Sequence, residues 1–234
     1  MRVDPRRWIG LGLIAVLALA CGAAQQSPPA AAPEPAPGGT LVVATGADLG
    51  GVNELLSGTS SFTQSVLGLL FLQLLAEQPD FDQGPPSFAP ALARSWEWSE
   101  DKTVLTLRLR DDVRWTDGTP VTAADVVWTW RAQTDPAIAW AADHSKENIA
   151  AVEALDDFTV RVVFHRPSMT QLADLNRGII LPRAAWSSLP FTEWRENADW
   201  FLEHLVTNGP FTLARWDRQQ QIVLVRNELY HQPG

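Results

Sequence analysis

The sequence predicts an α/β chain with a large share of antiparallel sheet. Two patterns carry that prediction. Short β-type runs, clearest as apolar alternation at 95–110, occur in adjacent pairs joined by short polar turns at 95–110, 149–165 and 211–226, which is how hairpin strands read. Between them lie stretches with apolar residues at helical spacing, at 62–78 and 122–130. No internal repeat is present, and the 234 residues suffice for one or two domains with a real core.

The N-terminus reads as a leader. "MRVDPRR" is net basic, "WIGLGLIAVLALA" (8–20) carries no charge, and Cys21, the only cysteine in the chain, follows at once. Those thirteen residues would make a helix of about 20 Å, too short to cross a bilayer core, and a basic start with a short apolar run is what a signal peptide needs. Leu17-Ala18-Leu19-Ala20-Cys21 resembles a bacterial lipobox, with Ala18 where Leu is usual and Leu19 where a smaller residue is usual. The resemblance implies cleavage before Cys21 and a diacylglycerol on its thiol. The Pro- and Ala-rich stretch to Gly39 cannot pack a core and suits an extended tether. The expected organisation is therefore 1–20 leader, 21–39 lipidated Cys and linker, 40–234 folded part.

In the folded part, Thr40–Thr45 is β-branched and reads as a short buried strand; Gly46-Ala47-Asp48 and Gly50-Gly51 break it into a loop. Val66, Leu67, Leu70, Phe71, Leu74 and Leu75 predict a helix over 62–78. Trp96 and Trp98, then Leu105, Leu107 and Leu109, predict a hairpin turning at 99–102. Asp117-Gly118 is a turn signal, because Gly takes positive φ without steric penalty. Thr122, with Asp125 three residues on, is a variant capping box opening a helix with Val126, Val127 and Trp130 on one face. Val160, Val162 and Phe164 alternate in a second hairpin, 149–165, and a short helix is expected near 170–176. Gly178–Pro182 reads as a buried strand or linker, and 192–206 as a helix with Trp194, Phe201 and Leu205 in the core. Strands at 211–216 and 221–226 close the chain.

The charge is −9, or −11 without the four charged residues of the leader, Arg2, Asp4, Arg6 and Arg7. This argues against nucleic-acid binding, which needs clustered Lys and Arg. The four His residues (144, 165, 204 and 231) form no metal motif, and there is no Gly-x-Ser-x-Gly elbow or phosphate loop. No catalytic residue, metal or cofactor is predicted. The ten Trp residues after the leader leave two readings open: core, or platforms on which a surface carbohydrate hydrolase would stack sugars. The four Asp residues of 110–130 each fill a structural role. Asp111 and Asp112 stand at a solvated strand end, Asp117 in a turn and Asp125 in a cap.

LARSW (92–96), LRLRDDVRW (107–115) and DGTPVTAADVV (117–127), followed by VEALDDFTV (152–160), NGPFTL (208–213) and VRNELY (225–230), together resemble the extracellular solute-binding proteins of family 5, in the same order. These are the oligopeptide-, dipeptide- and nickel-type binding components of ABC importers. The resemblance implies a type II periplasmic-binding fold with mixed sheets and flanking helices, and a ligand trapped between two lobes. It implies a small solute, most readily a peptide, as ligand, ABC permease subunits as partners, and an exported, membrane-tethered protein. Family members are much longer, so the resemblance covers only the first lobe, with the second lobe absent. By resemblance Thr45, Gly46, Ala47, Asp48 and Asn208 line the cleft floor, with Tyr230 a weaker candidate; Asn208-Gly209 also reads as a plain turn. A non-binding product of a broken gene is the remaining alternative.

Overall fold

The computed structural model describes residues 38–58, 60–80 and 86–232. The expected leader, Cys21 and all but the last two linker residues lie outside them. The chain divides into two units, Met1–Leu41 and Val42–Gly234, and the fold below is that of the second.

The central element is an antiparallel four-stranded sheet of order β3-β4-β6-β5, built from β3 (Ala93–Trp98), β4 (Val104–Leu109), β5 (Ile149–Asp156) and β6 (Thr159–Phe164). Both predicted hairpins are present. Leu105, Leu107 and Leu109 on β4 and Val160, Val162 and Phe164 on β6 are all buried, as side-chain period two requires. Trp96 pairs with Leu107 and Trp98 with Leu105, so both indoles share the apolar face, and Trp98 meets Phe164 with ring centroids 5.6 Å apart.

Helix α2 (Ala123–Thr134) starts where the sequence places it. Asp125 Oδ2 accepts the Thr122 N–H at 2.8 Å, and Gly118 at φ +86° makes the preceding turn. Its buried stripe is more polar than expected: Asp125, Val126, Thr129, Ala132 and Gln133 point inward, while Val127 and Trp130 are only half-buried.

That polar stripe explains residues 177–183. Residues 178–182 are buried between the exposed Arg177 and Arg183 and form no ladder, so the reading is linker, not strand. Their backbone groups are satisfied one by one. Ile179 N–H donates to Glu54 Oε2 (2.6 Å), Ile180 N–H to the Leu72 carbonyl (3.1 Å), Leu181 N–H to Thr129 Oγ1 (2.9 Å) and Arg183 N–H to Asp125 Oδ1 (3.0 Å). Gln133 Nε2 donates to the Arg177 carbonyl. Buried peptide groups must be paired, and here side chains do what a neighbouring strand would. Ahead of this belt stands α3 (Gln171–Asn176), and after it the short helix α4 (Arg183–Trp186).

Three expectations change. Helix α1 spans only Ser61–Leu70. Phe71 is extended, and 72–74 run without regular structure, Leu72 and Gln73 half-buried and Leu74 buried, into β1 (Leu75–Glu77), which pairs with β2 (Phe88–Pro90). A short buried apolar run cannot be told from a helix by periodicity alone. Residues 192–206 are not one helix. They form a 3₁₀ turn (Phe191–Glu193), irregular turns and the four-residue α5 (Trp200–Glu203), although Trp194 and Phe201 are fully buried as expected. Thr40–Thr45 is neither strand nor buried: Val42 and Val43 are 85% and 72% exposed. Among the described residues no strand pairs with Val42–Thr45, and a strand without a hydrogen-bonding neighbour has nothing to hold it.

The last hairpin, β7 (Phe211–Asp217) with β8 (Gln221–Arg226), forms its own two-stranded sheet. Asn227 ties its ends, its Nδ2 donating to the Gly209 carbonyl at 2.8 Å and its N–H to the Pro210 carbonyl at 2.9 Å.

Candidate ligand-binding face

The predicted site residues fall in two places. Thr45, Gly46 and Ala47 are exposed, with the Ala47 N–H donating to Thr45 Oγ1 at 3.2 Å. Asp48 is half-buried and its carboxylate is engaged. Oδ1 accepts the Trp216 indole N–H (2.8 Å) and the Leu49 N–H (2.8 Å), and Oδ2 accepts the Gln219 N–H (2.7 Å). The Gln219 bond above all, with the Trp216 and Leu49 bonds and the nearby Arg218 charge, outweighs partial burial and holds this carboxyl below the usual range. The loop is thereby fastened to the β7–β8 turn. Behind it, Gly50 N–H donates to Thr63 Oγ1 on α1 (3.0 Å), and Leu49, Val52 and Leu55 are buried.

Asn208 lies elsewhere and is 1% exposed. Its Oδ1 accepts the Leu72 N–H (2.9 Å), while its own N–H and that of Gly209 both reach the Leu70 carbonyl (3.2 and 2.8 Å). Asn208-Gly209 is therefore a joint between the end of α1 and the start of the hairpin, which neither the cleft reading nor the plain-turn reading anticipates. Asn208 Nδ2 and its neighbour Thr207 Oγ1 find no hydrogen-bond partner among the protein atoms. A Cβ placed on Gly209 would lie 2.5 Å from the Leu69 carbonyl oxygen and 2.6 Å from the Leu70 carbonyl carbon. Both are backbone atoms and cannot swing aside, so Gly209→Ala is expected to destabilise the chain by about 1–3 kcal/mol through overpacking. Urea denaturation checks this, and an unchanged midpoint would show that the joint has slack. Tyr230 is half-buried and turned onto His231, centroids 4.6 Å apart.

Beside the hairpin lies an open depression of about 440 Å³, lined by Thr116, Leu202, Glu203, Leu205, Thr207 and residues 212–216 of β7. Sequence reading misses Thr116, Thr207 and Trp216. Thr116 and Thr207 bond each other twice, Thr116 N–H to the Thr207 carbonyl (2.8 Å) and Thr207 N–H to Thr116 Oγ1 (3.1 Å). Trp216 joins this depression to Asp48. The one sequence signal for these three is that each flanks a family-like motif.

The Trp question resolves residue by residue. Trp115, Trp186 and Trp194 are fully buried. Trp96 and Trp98 line a second depression, about 540 Å³, with Phe88, Met169 and Leu172. Among the described residues its lining holds no Asp or Glu, whereas glycoside hydrolysis in most families uses a carboxylate pair. Among the described residues no three His, Cys, Asp or Glu side chains converge as a metal site. Asp111 and Asp112 are exposed, Asp112 receiving two hydrogen bonds from Arg110 (2.8 and 2.6 Å), and Asp117 closes its turn onto Thr119. In the 110–130 stretch Asp112, Asp117 and Asp125 thus serve an ion pair, a turn and a cap, while Thr116 lines the depression beside the hairpin.

Residues 87–234 match the family model "Bacterial extracellular solute-binding proteins, family 5 Middle". The periplasmic oligopeptide-binding protein OppA of Escherichia coli is 32% identical over 170 residues, 64% of this chain and 30% of that protein. The dipeptide-binding protein DppE of Bacillus subtilis is 27% identical over 158 residues, 60% of this chain and 28% of that one. The crystal structure of Haemophilus influenzae OppA in complex with the peptide RPPGFSPFR superposes with a TM-score of 0.67 at 25% identity, over 80% of this chain and 38% of that one. The architecture is that of the type II periplasmic binding proteins. The chain belongs to the family 5 bacterial extracellular solute-binding proteins. It spans 28–30% of the length of these two curated relatives.

Proposed function

We propose that this chain is the first-lobe portion of a lipid-anchored solute-binding component of an ABC importer and that its ligand is a peptide. The family match over 87–234 carries the reading, and the relatives' names, oligopeptide- and dipeptide-binding, support the ligand class. The mechanism is binding, not catalysis. Two lobes close on the solute and present the closed form to the permease subunits. Thr45, Gly46, Ala47 and Asp48 form the first lobe's share of the cleft, and Asn208 serves it from behind, as the buried joint between α1 and the last hairpin. An extended peptide offers main-chain donors and acceptors, and the exposed backbone of Thr45–Ala47 meets them as an added strand would. The protein is exported and held at a membrane by a diacylglycerol on Cys21, with residues 22–39 as tether. Among the described residues no helix is long and apolar enough to cross a membrane.

Two experiments test this. Titration with trialanine, followed by amide NMR shifts, is expected to move Thr45–Asp48 only at millimolar concentration, because one lobe supplies part of the contacts. Micromolar affinity would overturn the two-lobe reading, and unmoved 45–48 resonances would overturn the site. In a bacterial host, radiolabelled palmitate is expected on the wild type and absent from Cys21→Ser; label on both would remove the anchor.

A further inference from the structure

Asp48 and Trp216 are separated by 168 positions and meet at 2.8 Å. Three of the carboxylate's acceptor positions are filled by protein donors: the Trp216 indole, the Leu49 N–H and the Gln219 N–H. Gln219 sits in the β7–β8 turn at φ +61°, and Gln220 N–H closes that turn onto the Asp217 carbonyl at 3.0 Å. The guanidinium of Arg218 lies 4.8 Å from the Trp216 ring centroid and pairs with Asp199. The indole is thus held on its edge by a carboxylate and on its face by a cation. Immediately before Asp48 the loop is exposed, and the Ala47 N–H bond to Thr45 Oγ1 is internal to it.

We infer that Asp48 is a positioning residue: its carboxylate clasps Trp216 and the β7–β8 turn, and so sets the backbone of Thr45–Ala47 in place for a ligand's main chain. The inference rests on the peptide-binding reading for what the loop meets, but the clasp itself does not. The side chain of Asp48 then contributes to affinity without touching the peptide. The hairpin and the loop also become one mechanical unit, so a change at the 217–221 turn is transmitted to residues 45–47.

The test uses the full chain with Asp48→Asn, Trp216→Phe and the double substitution. Asn keeps one acceptor oxygen but cannot accept from both Trp216 and Gln219 as the two carboxylate oxygens do, and Phe removes only the indole donor. Amide exchange of residues 44–50 and 217–221 is read beside the melting temperature, and trialanine is titrated in parallel. Each single variant is expected to speed exchange at Thr45–Ala47 and to weaken trialanine binding roughly fivefold, with the double variant no worse than either single one. The global melting temperature should stay near the wild-type value, which separates positioning from a purely structural role. Loss of binding in Asp48→Asn with none in Trp216→Phe would show a direct ligand contact and overturn the inference. So would unchanged exchange at 44–50 in both single variants. If the wild type does not bind trialanine at all, the peptide reading fails, and the exchange data alone decide the clasp.

Discussion

Replacing Lys146 with Met is expected to destabilise the chain by about 1–3 kcal/mol, the cost of leaving buried carbonyls without their donor, offset in part because burying the ammonium is itself unfavourable. Lys146 is 2% exposed. Its ammonium donates to the carbonyls of Asp174 (2.7 Å), Leu175 (3.0 Å) and Arg177 (2.8 Å), closing the C-terminal end of α3, and lies 5.6 Å from the Trp140 ring centroid. Met fills similar space but takes the ammonium donor from all three carbonyls, of which only that of Arg177 keeps another, Gln133 Nε2, and it removes a cation that acts on Glu54. At about 2–4 °C per kcal/mol for a chain of this size, the melting temperature should fall by roughly 5 °C.

The pH dependence has a defined sign. Burial, opposed by the charges of Glu54 and Asp174, lowers the Lys146 pKa to about 7 from 10.5. Between those two values the unfolded chain holds a proton that the folded chain has released, so this group makes stability rise with pH from about 7 toward 10.5. Glu54 runs the other way. Burial raises its pKa above 4.5 despite the Ile179 N–H and the Lys146 charge, so its contribution is full below 4.5 and is lost as pH rises through the folded value. In Lys146→Met the alkaline rise should vanish, and the Glu54 loss should extend to higher pH, because an attractive cation is gone. Urea midpoints from pH 5 to 10 check both. A variant as stable as the wild type, with the same pH profile, would mean that the three carbonyls find other donors and that Lys146 carries no net stabilisation.

This belt also shows where sequence reading stops. The hairpins 93–109 and 149–164 and the α2 cap are legible, because period-two alternation, a short turn and a Thr-x-x-Asp box are all local signals. The apolar runs 71–75 and 178–182 are legible as buried but not as helix, strand or linker. Their N–H groups are accepted by Asn208, Asn176, Glu54 and Thr129, up to 136 positions away, and no local pattern announces them. Thr40–Thr45 misleads for a related reason. β-branched composition describes a segment that fits a pleated surface, and it does not say whether a partner is there. The face of the site is the least legible. Asp48 stands out by its place after the first segment, yet its chemistry is fixed by Trp216 and Gln219 in the last hairpin.

Replacing Trp194 with Ala is expected to cost about 3–5 kcal/mol, the usual range for emptying an aromatic site in a core. Trp194 is fully buried, and four aromatic rings surround it: Phe201 at 4.9 Å, Phe191 at 5.1 Å, Trp128 at 5.6 Å and Trp186 at 6.3 Å between centroids. Three of the four are edge-on, the arrangement that aromatic quadrupoles favour. The indole N–H donates to the Leu189 carbonyl at 3.1 Å, and Trp186 likewise donates to the His204 carbonyl at 2.9 Å. Residues 187–206 have little regular structure, so this cluster is what holds them. Ala would remove the rings' common neighbour and leave the Leu189 carbonyl without its donor. Trp96→Ala, at the half-buried rim of the 540 Å³ depression, should cost clearly less. The comparison separates the two readings of a Trp-rich chain: indoles kept for stacking on sugars sit where truncation hardly affects stability, whereas indoles kept for packing sit where it unfolds the chain. A Trp194→Ala variant that melts like the wild type would mean that 187–206 fold without the cluster, and the high Trp content would again need an explanation outside the core.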